Sequence, residues 1–345
     1  MSRGRSRTYS RRSVSAAALA AAGAVGLAGT GTATADPAPG GRQTAHGRLY
    51  ELESGGQRLV IAGVAATVLS WQVDGTEMLL THSPDELGEG WQGKTILPWA
   101  NRIDQGRYTF DGEELQVPLN EPDKQAALHG LMGFVEWTPV EHRADRVVLE
   151  HLLHPQYGYP FMLAFRIEFS LARGGFRSTL TARNVGDRAA PFGTANHTYL
   201  AAGGGGRVDD VVLELPAETY YRTNERLIPT GKAAVAGSDY DFRTARRIGA
   251  TEMDTAFTDL PGGPGGTTVR FGRADGSRVE LWADATHRYL QVYTDDAPET
   301  QRPARAGLTV EPMTLAPNAF VTGDGTIVLR PGQEHRGSWG YRVVG

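Results

Sequence analysis

The feature that most narrows the folds open to this chain is an unbroken alternation over residues 161–171. Phe161, Leu163, Phe165, Ile167, Phe169 and Leu171 alternate with Met162, Ala164, Arg166, Glu168 and Ser170. A period of two sustained this long describes a strand with one buried face, and it does not fit the 3.6-residue period of a helix. After Gly174-Gly175 the pattern resumes, with Phe176, Leu180 and Ala182 alternating with Arg177, Thr179, Thr181 and Arg183, so the second run can fold back on the first as an antiparallel pair. Asp74-Gly75, Asp111-Gly112 and Asp275-Gly276 each separate strand-like runs, and each is expected to form a tight hairpin in which Gly supplies positive φ at little cost. The sequence shows neither sustained helical periodicity capped at both ends nor a repeat of fixed period. The glycine clusters at 203–206 and 262–266 lack the strand-to-helix context of a phosphate-binding loop and read as ordinary loops. Residues 46–345 are therefore expected to form one all-β domain, a large antiparallel β-sandwich.

The first 35 residues have a different character. Arg3, Arg5, Arg7, Arg11 and Arg12 precede a small-residue apolar stretch from Ala16 to Ala28, and Ala33-Thr34-Ala35 follows. These are the three parts of a signal peptide, with cleavage expected after Ala35, and the apolar stretch is short for a transmembrane helix. The adjacent Arg11-Arg12 is similar to a twin-arginine signal, which exports folded bacterial proteins. An ordinary secretory signal is the alternative, and both place the protein outside the cytoplasm. Residues 36–45, with Pro37, Pro39, Gly40 and Gly41, read as a linker.

The chain of 345 residues has no cysteine, so an exported domain must rely on its packed core rather than on disulfides. Loss of the leader leaves 30 basic and 39 acidic residues, taking the formal charge from -4 to -9. Such a body is a poor partner for nucleic acid or an anionic membrane and a natural one for a neutral small molecule. The nine histidines are scattered; His151 and His154 form only a loose pair, so no metal site is expected. No Gly-x-Ser-x-Gly nucleophile elbow occurs.

Four polar clusters interrupt the strand-like runs: Asn101-Arg102, Leu128-His129-Gly130, Asn196-His197-Thr198-Tyr199 and Val310-Glu311-Pro312. Two histidines, an arginine and a carboxylate suit acid/base chemistry on a neutral polyol. Read singly, each has a plainer explanation. Glu311 could be a solvated strand-end carboxylate, His197 a structural hydrogen-bonding residue, and Arg102 half of a surface ion pair with Asp104.

Their wording changes that balance. Pro98-Trp99-Ala100-Asn101-Arg102-Ile103, then GRYTFDG over Gly106–Gly112, then Leu128-His129-Gly130 with Trp137 beyond, resembles the aldose 1-epimerases, or galactose mutarotases, from about Gly47 to Tyr341. The resemblance implies an extended antiparallel sandwich with an open cleft on one sheet. It also implies that Glu311, before Pro312 and Pro317-Asn318-Ala319-Phe320, is the base, and that His197 protonates the ring oxygen. The family's usual His-Pro-Tyr reads His197-Thr198-Tyr199 here, which puts the local backbone conformation in question. By the same resemblance Asn101, Arg102 and His129 contact the sugar, as does Asp254 in Met253-Asp254-Thr255-Ala256-Phe257, although nearby Asp259 could be mistaken for it. Gln291 lies between Tyr289 and Tyr293 on one strand face, where rings could cover a sugar's C–H face and the amide could both donate and accept; cross-strand packing of the tyrosines is the plain alternative.

The expected activity is therefore interconversion of the α and β anomers of a free hexose by acid/base ring opening, without a cofactor, in a monomer or weak dimer. A carbohydrate-binding sandwich that has lost its chemistry is one rival. Another is a mutarotase for a charged sugar, since Pro98-Trp99 and Asn120-Glu121-Pro122 look like the branch that includes a sulfoquinovose mutarotase; export argues against a hexose 6-phosphate. Replacing Arg11 and Arg12 together with lysine is expected to abolish export, scored as protein in the medium of a host without general secretory backup. Unchanged secretion would remove the twin-arginine assignment.

Overall fold

The structure is a computed structural model that describes residues 43–88, 90–297 and 303–344. The expected leader and all but the last three residues of the expected linker lie outside the described residues. At the linker's end, Thr44 and Gly47 close a small turn, and the buried His46 donates its backbone N–H to Pro84.

Two large sheets dominate. The nine-stranded sheet runs Thr138–Arg143, Arg146–Leu153, Leu163–Ala172, Gly175–Asn184, Glu334–Val344, Arg278–Ala283, Thr267–Gly272, Val212–Glu214 and Arg246–Arg247. The eight-stranded sheet runs Pro229–Ala234, Thr219–Thr223, Asp254–Thr258, Tyr289–Tyr293, Gly307–Met313, Ala195–Asn196 and Thr95–Ile96, with Tyr199–Ala201 also paired to Gly307–Met313. A four-stranded sheet, Leu49–Ser54, Gln57–Ala62, Thr67–Val73 and Thr76–Glu77, completes the larger elements. The named pairings are antiparallel, and the one α-helix among the described residues is the short Ala319–Thr322. The protein is an all-β sandwich, as the alternation of residues 161–171 implies.

That alternation maps onto the fold without a slip. Leu163, Phe165, Ile167, Phe169 and Leu171 are buried and pair across to Asn184, Ala182, Leu180, Ser178 and Phe176. Each aromatic or branched side chain so buried contributes roughly 1.5–3 kcal/mol, before the entropy of ordering is charged against it. Trp71, Phe192, Phe257 and Trp339 extend the same core across both large sheets and the four-stranded one. One polar contact inside it is satisfied: the Trp71 indole donates to Gln57 Oε1 at 2.9 Å.

Two of the three Asp-Gly pairs make the tight turns expected of them. Asp74-Gly75 (φ 48° and 80°) and Asp111-Gly112 (φ 51° and 77°) each join strands whose last and first residues pair directly. Asp275-Gly276 instead sits in a five-residue loop between Gly272 and Arg278, because the Asp275 carboxylate accepts from the backbone N–H and the hydroxyl of Ser277 and holds a wider turn.

The adjacent glycines at the head of the long hairpin have unequal duties. Gly175 has φ 132°, and a Cβ there would stand 2.0 Å from the Tyr341 carbonyl oxygen, whereas a Cβ on Gly174 would meet nothing within 4 Å. Gly175→Ala is expected to cost about 2 kcal/mol or more, since backbone must move. Gly174→Ala should stay within roughly 0.5 kcal/mol. Denaturant midpoints of the two variants test this, and equal losses would mean that the contact with Tyr341 relaxes freely.

Candidate functional site

The cleft is organised by the register of the strand Gly307–Met313. Along one edge Gln291 is the ladder partner of Glu311. Along the other edge Met313 pairs with Ala195 and Thr309 with Tyr199, and the pairing lapses between them, where His197 stands opposite Glu311. The carboxylate is thus flanked by an amide on one side and an imidazole on the other, with His197 Nε2 3.3 Å from Glu311 Oε1. One strand further out, Asp254 accepts from Gln291 Nε2 at 2.5 Å.

Arg102, Asn101 and His129 come from a separate two-stranded ribbon, Arg102–Asp104 with Ala126–Leu128. Asn101 (φ 55°) and His129 (φ 58°) both adopt the left-handed conformation at its end and hold each other there: the His129 N–H donates to the Asn101 carbonyl at 3.0 Å, and the Asn101 N–H donates to His129 Nδ1 at 3.2 Å. Strain of this kind persists where surrounding contacts over-determine it, and it turns the His129 ring against that of His197, with centroids 5.1 Å apart at 86°. All seven residues singled out in the sequence, Asn101, Arg102, His129, His197, Asp254, Gln291 and Glu311, are therefore gathered at one place. Asp259 is not: it lies at the end of its strand and lines a different cavity of about 430 Å³, with Lys232, Arg288 and Tyr289.

Other participants were not singled out. Glu121 takes both Nε (2.7 Å) and a terminal nitrogen (2.8 Å) of Arg102, a bidentate clasp that fixes the guanidinium plane; Arg102's ion-pair partner is thus Glu121 and not Asp104, which pairs with Arg226. Trp91 packs on the His129 ring at 5.1 Å, and Gly133 is required beside it because a Cβ there would fall 2.1 Å from the indole. Tyr199 stacks on His197, with rings 5.2 Å apart at 22°. Lys94, buried behind this wall, donates to the Gly133 carbonyl at 2.6 Å and lies 4.0 Å from the centre of the Phe134 ring; burial lowers its pKa to about 8.

The electrostatics divide the roles. Burial, reinforced by the charge of Asp254 and only partly offset by Arg102, pushes the Glu311 carboxyl well above the usual range. Burial also raises Asp254, against the pull of Arg102 and the donated bond from Gln291. His129 is driven well below 6.5, first by burial and then by His197 and Arg102, so it is neutral near pH 7. Its Nδ1 accepts from Asn101, which leaves the proton on Nε2 and makes that atom a hydrogen-bond donor toward a ligand. Glu311 Oε2 is buried without a hydrogen-bond partner, an acceptor held in reserve.

His129, His197 and Glu311 offer donor atoms within 4.8 Å of one another, and on position alone they could surround a metal ion. The tautomer of His129 opposes this: one nitrogen spends its lone pair on the Asn101 N–H and the other carries the proton, so neither is a ligand until that bond breaks.

The family model described as "Aldose 1-epimerase" matches residues 48–342. The chain is 34% identical to the uncharacterized protein YihR of Escherichia coli K12, over 84% of this chain and 91% of that one. It is 29% identical to the aldose 1-epimerase of the same organism, over 73% and 80%. Among solved structures, the GalM/aldose epimerase homologue from C. elegans superposes with a TM-score of 0.77 over 86% of this chain and 98% of that one, at 20% identity, a likeness of fold. The match over residues 48–342, on a sandwich whose cleft gathers Glu311, His197, His129 and Arg102, places this chain in the aldose 1-epimerase family.

Proposed function

We propose that the protein interconverts the α and β anomers of a free, uncharged hexose. The observation that carries this reading is the buried Glu311 carboxylate, raised in basicity, 3.3 Å from His197 and bearing one unpartnered oxygen. Glu311 takes the proton of the C1 hydroxyl as His197, protonated, delivers one to the ring oxygen, and the C1–O5 bond breaks. After rotation about C1–C2 the chain recloses on the other face: His197 recovers its proton from the O5 hydroxyl and Glu311 returns its own to O1. His129 Nε2–H and the clasped Arg102 donate to the oxygen region where charge develops, which a buried site rewards more than water does. Asp254 and Gln291 are assigned to the remaining hydroxyls.

The balance of charge supports an uncharged substrate. The guanidinium of Arg102 faces three carboxyls, those of Glu121, Asp254 and Glu311. A sulfonate or phosphate placed here would meet surplus negative charge.

Polarimetry of freshly dissolved α-glucose, α-galactose, xylose and sulfoquinovose, with and without protein, is the direct test. Acceleration for sulfoquinovose alone would replace the uncharged substrate with a charged one. No acceleration for any of them would favour a binding module. In ¹⁸O water, anomer exchange should outrun label entry at C1, because the C1–O1 bond survives each turnover; label entering as fast as anomers exchange would transfer the chemistry to the exocyclic bond.

Glu311→Gln is expected to lower kcat by about 10²–10⁴-fold, and His197→Asn by a similar factor. The double variant should lose far less than the product, since both groups serve one ring opening. The acid limb of kcat/KM should lie above pH 4.5, because the base must be ionised and its folded-state pKa is raised.

The same shift has a signed consequence for stability. Between 4.5 and the raised folded value, the native state binds more protons than the unfolded one, so this carboxyl's contribution falls as pH rises through that window. Glu311→Gln should therefore raise Tm at pH 7, by about 2 °C for each 1 kcal/mol relieved. The gain should vanish near pH 4, where the carboxyl is protonated in both states; thermal melts at the two pH values check both halves.

A further inference from the structure

Residues on either side of His197 carry hydrogen bonds that the chemistry above does not use. Asn196 and Thr198 flank His197 where the ladder lapses without a change of register, so by alternation their side chains lie on the face opposite the imidazole, and there they meet each other. The Thr198 hydroxyl donates to Asn196 Oδ1 at 2.6 Å, which fixes which way the amide faces. Asn196 Nδ2 then reaches the carbonyls of Gly93 and Lys94, 3.3 Å each. The backbone of His197 is tied to the same two residues: its N–H donates to Lys94 O at 3.0 Å, and its carbonyl accepts from Gly93 N at 2.9 Å.

Thr198 also reaches toward the base. Its carbonyl accepts from Thr309 Oγ1 at 2.8 Å, and Thr309 lies two residues before Glu311 on the same strand. Behind it, the buried phenol of Tyr341, from the central strand of the opposite sheet, lies beside the Thr198 hydroxyl, short of a well-formed hydrogen bond. Asn196 and Thr198 are essentially inaccessible to solvent, at 0% and 1% exposure, so water cannot replace a lost bond.

We propose that Thr198 is a positioning residue: its hydroxyl locks the Asn196 amide, and this clip holds His197 at its working distance from Glu311. The proposal rests on the acid role given to His197 above. Without the hydroxyl, Asn196 Oδ1 is left buried and unpaired, and the amide has no reason to keep its two bonds to residues 93 and 94. The imidazole then loses its fixed place, and misplacement of a reacting group by about 1 Å can cost 10²-fold in rate.

The test uses Thr198→Val, which keeps the shape and removes the hydroxyl, Thr198→Ala, which avoids any misfit of a second methyl, and Thr198→Ser, which restores the hydroxyl. Anomerisation kinetics should show kcat down about 10- to 100-fold in the Val and Ala variants, with KM within about 2-fold and recovery in Ser. Wild-type kcat in folded Val and Ala variants would overturn the proposal, as would a loss confined to KM. Ring ¹H–¹⁵N spectra of His197, assigned by its absence in His197→Asn, give a readout independent of activity. One sharp set of ring signals is expected in the wild type and Ser variant, and broadened or doubled signals in Val and Ala. If the wild type anomerises no sugar, the proposed reaction falls, yet these spectra still decide the clip: sharp, unshifted His197 signals in all four proteins would dispose of it.

Discussion

The constraint on which the rest depends is the antiparallel register between Tyr289–Tyr293 and Gly307–Met313. It sets Gln291 against Glu311, and the lapse of pairing on the other edge sets His197 there too. Because side chains alternate along a strand, a slip by one residue would send Glu311 into the sandwich core and Val310 into the cleft. The register is held by the apolar residues between the polar ones: Leu290, Val292, Leu308 and Val310 are all nearly fully buried. The chemistry of one face is thus positioned by the hydrophobic packing of the other.

The site carries an electrostatic conflict that packing has to tolerate. Burial and the charge of Asp254 raise the Glu311 carboxyl, burial raises Asp254 as well, and one guanidinium, already clasped by Glu121, serves both. A core built for stability alone would place an apolar group at Glu311. A buried carboxyl held above its ordinary range, with one oxygen lacking a hydrogen-bond partner, suits the proton abstraction proposed for it, and the stability forgone is drawn from the extensive core of the two sheets.

The sheet architecture was legible because alternation is a local signal: Leu163 to Leu171 can be placed on a buried face with no knowledge of what covers it. The site was legible in part because Asn101-Arg102, Leu128-His129-Gly130 and Glu311-Pro312 sit in distinctive wording. Glu121 was visible only as a neighbour of Pro122, since nothing local says that its carboxylate reaches across the ribbon to Arg102. The Asn196–Thr198 clip depends on carbonyls a hundred residues away, and the wider loop at Asp275-Gly276 turns on a hydroxyl, Ser277, whose orientation no dipeptide rule contains. Asp254 and Asp259, both reasonable on the chain, are separated by their strand: one shares a face with Gln291 and the other has left the ladder.

The strand Glu334–Val344 lies in the middle of the nine-stranded sheet, between Gly175–Asn184 and Arg278–Ala283. Until Glu334–Val344 is in place, two edges meant for the centre of a sheet stand open, and Tyr341 is missing from beside Thr198. The nine-stranded sheet therefore cannot close before residues 334–344 have been made. A chain held short of that point presents two long, flat, unpaired edges to any passing strand, so this one segment separates a closed sandwich from a template for aggregation.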